Sequence, residues 1–190
     1  KYIHNKKIMD YSKYFKNYSN SINKILDEVD TDLIKETVNL IKKIIKNKKK
    51  IYIIGNGGSS SIASHVSVDF TKVAKIPSIN FNNANLITCF ANDFKYENWV
   101  SESIKSYCDK KDLIILISSS GTSQNILNAA KYCKSKNMNL ITFTGFSSKN
   151  PLSKMGKINF HTKSNNYNYI EMSHHIILVS IVDIFANNLV

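Results

Sequence analysis

One recurring unit limits the fold of this chain more than anything else: a short apolar run, a polar glycine or serine turn, then a segment with helical periodicity. "KKIYIIG" (49–55) runs through "NGGSSS" into a helical segment at about 59–72, and "DLIILIS" (112–118) runs through "SSGTS" into another at 123–136. Runs this short and continuously apolar read as buried strands, and strands alternating with helices argue for a parallel sheet covered on both faces. The same reading places further strands at 78–81, 139–145 and 157–162, and helices over "NANLITCFAND", 96–108 and 169–189. Sheets of this class bind ligands beyond the carboxyl ends of their strands, and both polar turns fall there.

Nothing else in the chain asks for a second domain. Its 190 residues can bury a core without disulfides or a structural metal, there is no repeat or low-complexity linker, and Pro77 and Pro151 are its two prolines. A single domain over 1–190 is expected. Residues 6–47 read as two helices broken near "DEVDTD", with Asp30 or Thr31 capping the second. Leu33, Val38, Ile41 and Ile45 give that second helix an apolar stripe, and the pair, extra to the sheet, suits a subunit interface. Runs such as "LIILI" are too short to span a bilayer, and "KYIHNKKIMDYSKYF" lacks the apolar block of a secretory signal, so a cytoplasmic protein without a membrane span is expected. Cys89, Cys108 and Cys133 lack the paired spacing of a zinc or redox motif and read as inert core thiols. The net charge of +12 comes with 26 basic residues that are all lysine. Without arginine for bidentate contacts, nucleic acid is not the expected partner, although a positive field favours a small anion.

The turns carry the first chemical signal. Gly55, Gly57 and Gly58 permit positive φ and close backbone approach, and Ser59, Ser60 and Ser61 place hydroxyls at a helix N-terminus whose free N–H groups attract anions. No Gly-Lys-Ser/Thr or GxGxxG spacing follows, so no nucleotide cofactor is expected. Taken alone, the glycines fit a plain strand-to-helix turn equally well. "SSSGTS" repeats the design with Ser118, Ser119, Ser120, Gly121, Thr122 and Ser123, and two such turns can hold phosphate oxygens without a cationic side chain.

Two helices carry the second signal. After the first turn, Ile62, Val66 and Val73 form a stripe with Asp69 inside it and His65 at its edge, and a buried carboxylate must be paired, metal-bound or functional. In the last helix Glu171, His175 and Val179 share a face beside His174, while Ile176, Ile177, Leu178 and Ile181 make the helix apolar almost all round. If the helices meet, Glu171 and His175 join His65 and Asp69 in a cluster suited to a divalent metal or to proton transfer. The competing reading makes His174 and His175 core or interface histidines.

Taken in order, "GNGGSSSIASHVSVDF", "FANDFKYE", "LISSSGTSQNILNAAK" and "NYNYIEMSHHIILVSIVDIF" resemble the sugar isomerase (SIS) domain proteins of the phosphoheptose isomerase group, over nearly the whole chain. The resemblance implies a flavodoxin-like, three-layer α/β sandwich and a homotetramer with active sites at subunit contacts. It also implies conversion of sedoheptulose 7-phosphate to D-glycero-D-manno-heptose 7-phosphate for the heptose of lipopolysaccharide or capsule. By resemblance, Asn56, Gly57 and Gly58 contact substrate, Asn92 and Asp93 form a second substrate-binding pair, and Ser118, Ser119, Ser120 and Ser123 bind phosphate. His65 matches a zinc ligand; with Asp69 and Glu171 it would hold one zinc per subunit.

The reacting centre departs from the family. Asp69 stands where the family has a glutamate that is base and metal ligand, Glu171 where many members have glutamine, and Val179 where they carry the second catalytic histidine. Valine can move no proton. Either His175, one turn back, takes over with Asp69 and Glu171 as catalytic partners, or the chain is a non-catalytic SIS protein that binds a sugar phosphate or a protein partner, as a replication-initiator-binding relative does.

Overall fold

The structure, a computed structural model, describes residues 9–190. Strands β1 (Ile51–Gly55) and β3 (Leu113–Ile117) are buried along their whole lengths, as their unbroken apolar sequences require. Among the described residues they form the middle of a five-stranded sheet with β2 (Ser78–Ile79), β4 (Asn139–Thr144) and β5 (Ile158–His161), in the order β2-β1-β3-β4-β5. Every neighbouring pair is parallel.

Side-chain alternation along the strands divides the core in two. Ile51, Ile53, Leu113, Ile115, Ile117, Ile141 and Phe143 face α2 (Thr31–Lys46), α3 (Gly58–Lys72) and α7 (Tyr167–Ala186). Tyr52, Ile54, Ile114, Leu116 and Leu140 face α5 (Trp99–Tyr107) and α6 (Gln124–Ser135). Each fully buried isoleucine contributes about 2 kcal/mol through the apolar surface it removes from water. The result is the expected three-layer α/β sandwich. The chain leaves β1 for the edge strand β2 and then crosses back to β3 on the other side of β1. Between β1 and β3, where Gly55 pairs with Ile117, the sheet therefore has its topological switch point, beyond which sheets of this class bind their ligands.

Several local expectations need correction. The strand expected at 78–81 is only Ser78–Ile79, because Asn80 and Asn82 turn their amides onto Ser67, Ser60 and Ser64 of α3 instead of continuing a ladder. The α2 stripe is Thr37, Val38, Ile41 and Ile44, while Ile45 is exposed; Asp30 caps this helix by accepting from Asp32 N. On α3 the buried stripe runs through Ser59, Ile62, Ala63, Val66, Ser67 and Phe70; Val73 is exposed. Cys133 is buried, but Cys89 is exposed and Cys108 only partly covered, so they are not all core thiols. Helix α7 is not buried all round, since Met172 and Ile176 are exposed.

By length and composition α7 could also cross a membrane, which no single apolar run in the sequence could. In this fold it gives Ile177, Leu178, Ile181 and Val182 to the core and packs on α3 and on α1 (Tyr11–Asp27). Helix α1 itself buries no residue and leaves Tyr11, Tyr14 and Phe15 exposed.

Candidate active site

Both polar turns sit at the switch point, and a reciprocal amide pair ties them together. Asn56 Nδ2 donates to Asn125 Oδ1 at 3.0 Å, and Asn125 Nδ2 donates to Asn56 Oδ1 at 2.9 Å. In the first turn Gly57 has φ +54°, a conformation that favours glycine, and caps α3 without any side-chain hydrogen bond. Helix α6 likewise starts at Ser123 without a side-chain cap bond, as α5 does at Asn98, whereas α1, α2, α7 and α4 (Ala84–Phe94) are capped by Asp10, Asp30, Asn166 and Asn83. Two helix N-termini at the switch point thus keep backbone donors available for an anion.

The hydroxyls of the second turn converge. Ser118 Oγ donates to Ser123 Oγ at 3.3 Å, and Thr122 Oγ1 donates to Ser120 Oγ at 3.0 Å. Ser119 is 5% exposed, and its Oγ is buried with no hydrogen-bond partner. Gly121 has φ +64°, and a Cβ there would collide with Asn150, a buried side chain that fixes the next loop through Ser147 O and Ser153 N. Ser59 is buried at the start of α3.

Helix α7 brings the second half of the site. A Cβ on Gly58 would lie 2.6 Å from Glu171 Cδ, so the Glu171 carboxyl rests directly on the first turn. Partial burial raises the Glu171 pKa, which favours the protonated acid. One turn on, His175 Nε2 lies 2.7 Å from His65 Nδ1, and His65 Nε2 lies 3.1 Å from Asp69 Oδ2. The His175 pKa is lowered, first by burial and then by the neighbouring His65, against the pull of Asp69. His174 faces the other way: it is fully buried, donates from Nε2 to Thr144 O at 3.0 Å, and has its pKa pushed down to about 4 by burial. Val179 is partly buried against the core.

The site residues expected from sequence are therefore only partly brought together. Glu171 meets Asn56, Gly57, Gly58 and Ser59 at the first turn, His175, His65 and Asp69 form a row further along α7 and α3, and Ser118, Ser119, Ser120 and Ser123 form the second turn. Asp69 borders the buried stripe of α3 instead of lying in it; its side chain is 29% exposed and that of His65 53%. Asn92 and Asp93 are exposed at the end of α4, where Asn92 Nδ2 donates to Asp93 Oδ1 at 2.9 Å. Among the described residues no group of three His, Cys, Asp or Glu side chains converges as a metal site. His65 spends its two ring nitrogens on opposite partners, and Glu171 rests on Gly58, so His65, Asp69 and Glu171 as arranged do not fit a shared zinc. Asn125 was not anticipated. Its signal was available, because it lies in phase with the buried Ala129 and Cys133 of α6, where an amide needs a partner.

Residues 13–145 match the SIS domain family model. The phosphoheptose isomerase of Buchnera aphidicola subsp. Acyrthosiphon pisum is 34% identical over 145 residues, which is 71% of this chain and 75% of that protein. The chain belongs to the SIS domain family, in its phosphoheptose isomerase group. The phosphoheptose isomerase of Thermodesulfovibrio yellowstonii is 33% identical over 129 residues, 65% of this chain; the match spans 64% of that protein's length, just under two thirds. A solved phosphoheptose isomerase from Francisella tularensis shares the fold, with a TM-score of 0.83 at 22% identity over 94% of this chain and 100% of that one.

Proposed function

We propose that this SIS protein is a sugar-phosphate aldose–ketose isomerase acting on sedoheptulose 7-phosphate to form D-glycero-D-manno-heptose 7-phosphate. The carrying observation is the junction of the two turns at the switch point, with Glu171 resting on Gly58 and His175 one turn further along the same helix face. The serine hydroxyls and the free amides of α3 and α6 hold the phosphate, and the lysine-rich surface draws the anion in.

The reaction moves one proton between neighbouring carbons. A base takes the proton from C1 of the ketose, the electron pair of that C–H bond forms the C1=C2 bond, and an acid protonates the carbonyl oxygen to give an enediol. The reverse sequence then puts a proton on C2 and takes the one on O1, leaving the aldose. His175, kept neutral by its lowered pKa, serves as the base, and Glu171, whose raised pKa favours the protonated form, serves as the acid. This assignment supplies the imidazole that Val179 lacks, and no step is routed through zinc. The exposed aromatic face of α1 supports assembly into a homotetramer, with the exposed Asn92 and Asp93 completing the site of a neighbouring subunit.

The test is direct incubation of the purified protein with sedoheptulose 7-phosphate, following aldose formation. Turnover supports the assignment. Binding of the sugar phosphate without turnover overturns it in favour of a non-catalytic SIS protein.

A further inference from the structure

Around His65 the hydrogen bonds form a chain, not a shell. The Asp69 carboxylate can only accept, so the contact from His65 Nε2, at 3.1 Å, places a proton on that nitrogen. For a neutral His65 ring, Nδ1 is then a lone pair, and the 2.7 Å contact to His175 Nε2 is an N–H donated by His175. That in turn leaves the lone pair of His175 on Nδ1, which makes no hydrogen bond among the described residues. Asp69 thus fixes the tautomer of His65, and His65 fixes the tautomer of His175.

We propose that Asp69, His65 and His175 form a metal-independent relay in which Asp69 and His65 are positioning residues that hold His175 with its proton on Nε2 and its basic lone pair on Nδ1. The idea rests on the isomerase reading above and assigns its base to one atom. When Nδ1 takes the substrate proton, the imidazolium keeps donating from Nε2 to His65, and His65 to the Asp69 carboxylate, so the new charge faces an anion through one ring. The T-shaped packing of the two rings, 4.9 Å between centroids and 85° between planes, holds that alignment. A zinc on His65 would have to displace one of these two bonds, since both ring nitrogens are already used. Aspartate in place of the family glutamate fits the same account: its carboxylate is bound to His65 within its own helix and needs no longer reach.

The test reads the hydrogen bond itself. In protein with 15N-labelled histidine, washed with chelator, an N–H···N bond between the rings gives a through-bond 15N–15N coupling with the proton assigned to His175 Nε2. The coupling is expected in the unaltered protein and lost in Asp69→Ala, with Asp69→Asn as the variant that preserves shape. On the substrate, Asp69→Ala is expected to lower kcat roughly tenfold to a hundredfold with KM unchanged, and chelator is expected to leave turnover intact. No coupling in the unaltered protein, or turnover abolished by chelator and restored by one equivalent of zinc, overturns the relay. If no sugar phosphate turns over, the isomerase reading fails, and the coupling still decides whether the relay exists.

Discussion

The two halves of the site are built differently. The half proposed to hold phosphate rests largely on backbone: strand ends, helix N-termini and Gly121, which has no room for a side chain under Asn150. The reacting half rests on side chains of two helices, α3 and α7, and their contacts over Gly58 and at His65. Such a cradle tolerates many changes of side chain because peptide groups supply much of its donor set, with serine hydroxyls added to them. A side-chain cluster is rebuilt when one member changes, and in the proposed mechanism the imidazole comes from His175, where the resemblance expects it at the position of Val179.

The sharpest way to break this division is to add one methyl group to each half. Gly58→Ala pushes a Cβ into the Glu171 carboxyl, so kcat should fall about 10²- to 10³-fold with a smaller loss of phosphate affinity than Gly121→Ala gives. Gly121→Ala strains a left-handed residue and strikes Asn150, so it should weaken phosphate binding and cost about 1–2 kcal/mol of stability. Calorimetric titration with phosphate beside steady-state kinetics separates the two. If Gly58→Ala loses phosphate affinity as Gly121→Ala does, the halves are not independent.

Next in size is an acid lability of the core behind the reacting half. His174 holds α7 to β4 through Thr144 O and is neutral in the fold, with a pKa of about 4 against an ordinary 6.5. The unfolded chain therefore binds a proton that the folded chain refuses. Stability is full above pH 6.5, falls as the pH drops through the window from 6.5 to 4, and is lower by on the order of 3 kcal/mol below it. Denaturant melts across that window check this, and His174→Gln should flatten the slope. A slope unchanged by that substitution would show that the acid-sensitive group lies elsewhere.

How much of this was legible follows from the kind of interaction. Unbroken apolar strands and their polar turns are local patterns, so the sheet, the three layers and both turns could be read within a residue or two. The β2 strand shortens because Asn80 and Asn82 bond to α3, a contact about 13 to 22 residues away in sequence. Helical phase located Asp69 only approximately: the face that α3 buries is set by the sheet and α7, and it centres on Phe70 and Val66. The meeting of His65 with His175 spans 110 positions, and no spacing rule reaches across that distance. The family roles rest on resemblance alone, and the shared zinc it implied depends on three side chains converging, which the helices do not arrange.

The Asn56–Asn125 pair joins the two halves, and its loss should cost about 2 kcal/mol. Asn125→Leu leaves the Asn56 amide half-buried without its two bonds and frees the turns to move apart. Both KM and kcat should then worsen, unlike either glycine variant, and a thermal melt gives the stability term. A change in KM alone would place Asn125 wholly within the phosphate half.

The smallest expected effect is the most diagnostic of a site preformed for a ligand. Ser119 Oγ is buried without a partner, and burying a hydroxyl with nothing to bond to carries a standing cost in the empty protein. Ser119→Ala removes that cost along with the hydroxyl, so folding stability should hold or rise slightly. If the hydroxyl is kept for a phosphate oxygen, the same variant should bind inorganic phosphate several-fold more weakly, about 1 kcal/mol. Stability and affinity then move in opposite directions, which a purely structural serine would not produce. A fall in the melting temperature with unchanged phosphate affinity would assign Ser119 to the fold and leave Ser118, Ser120 and Ser123 as the hydroxyls of the cradle.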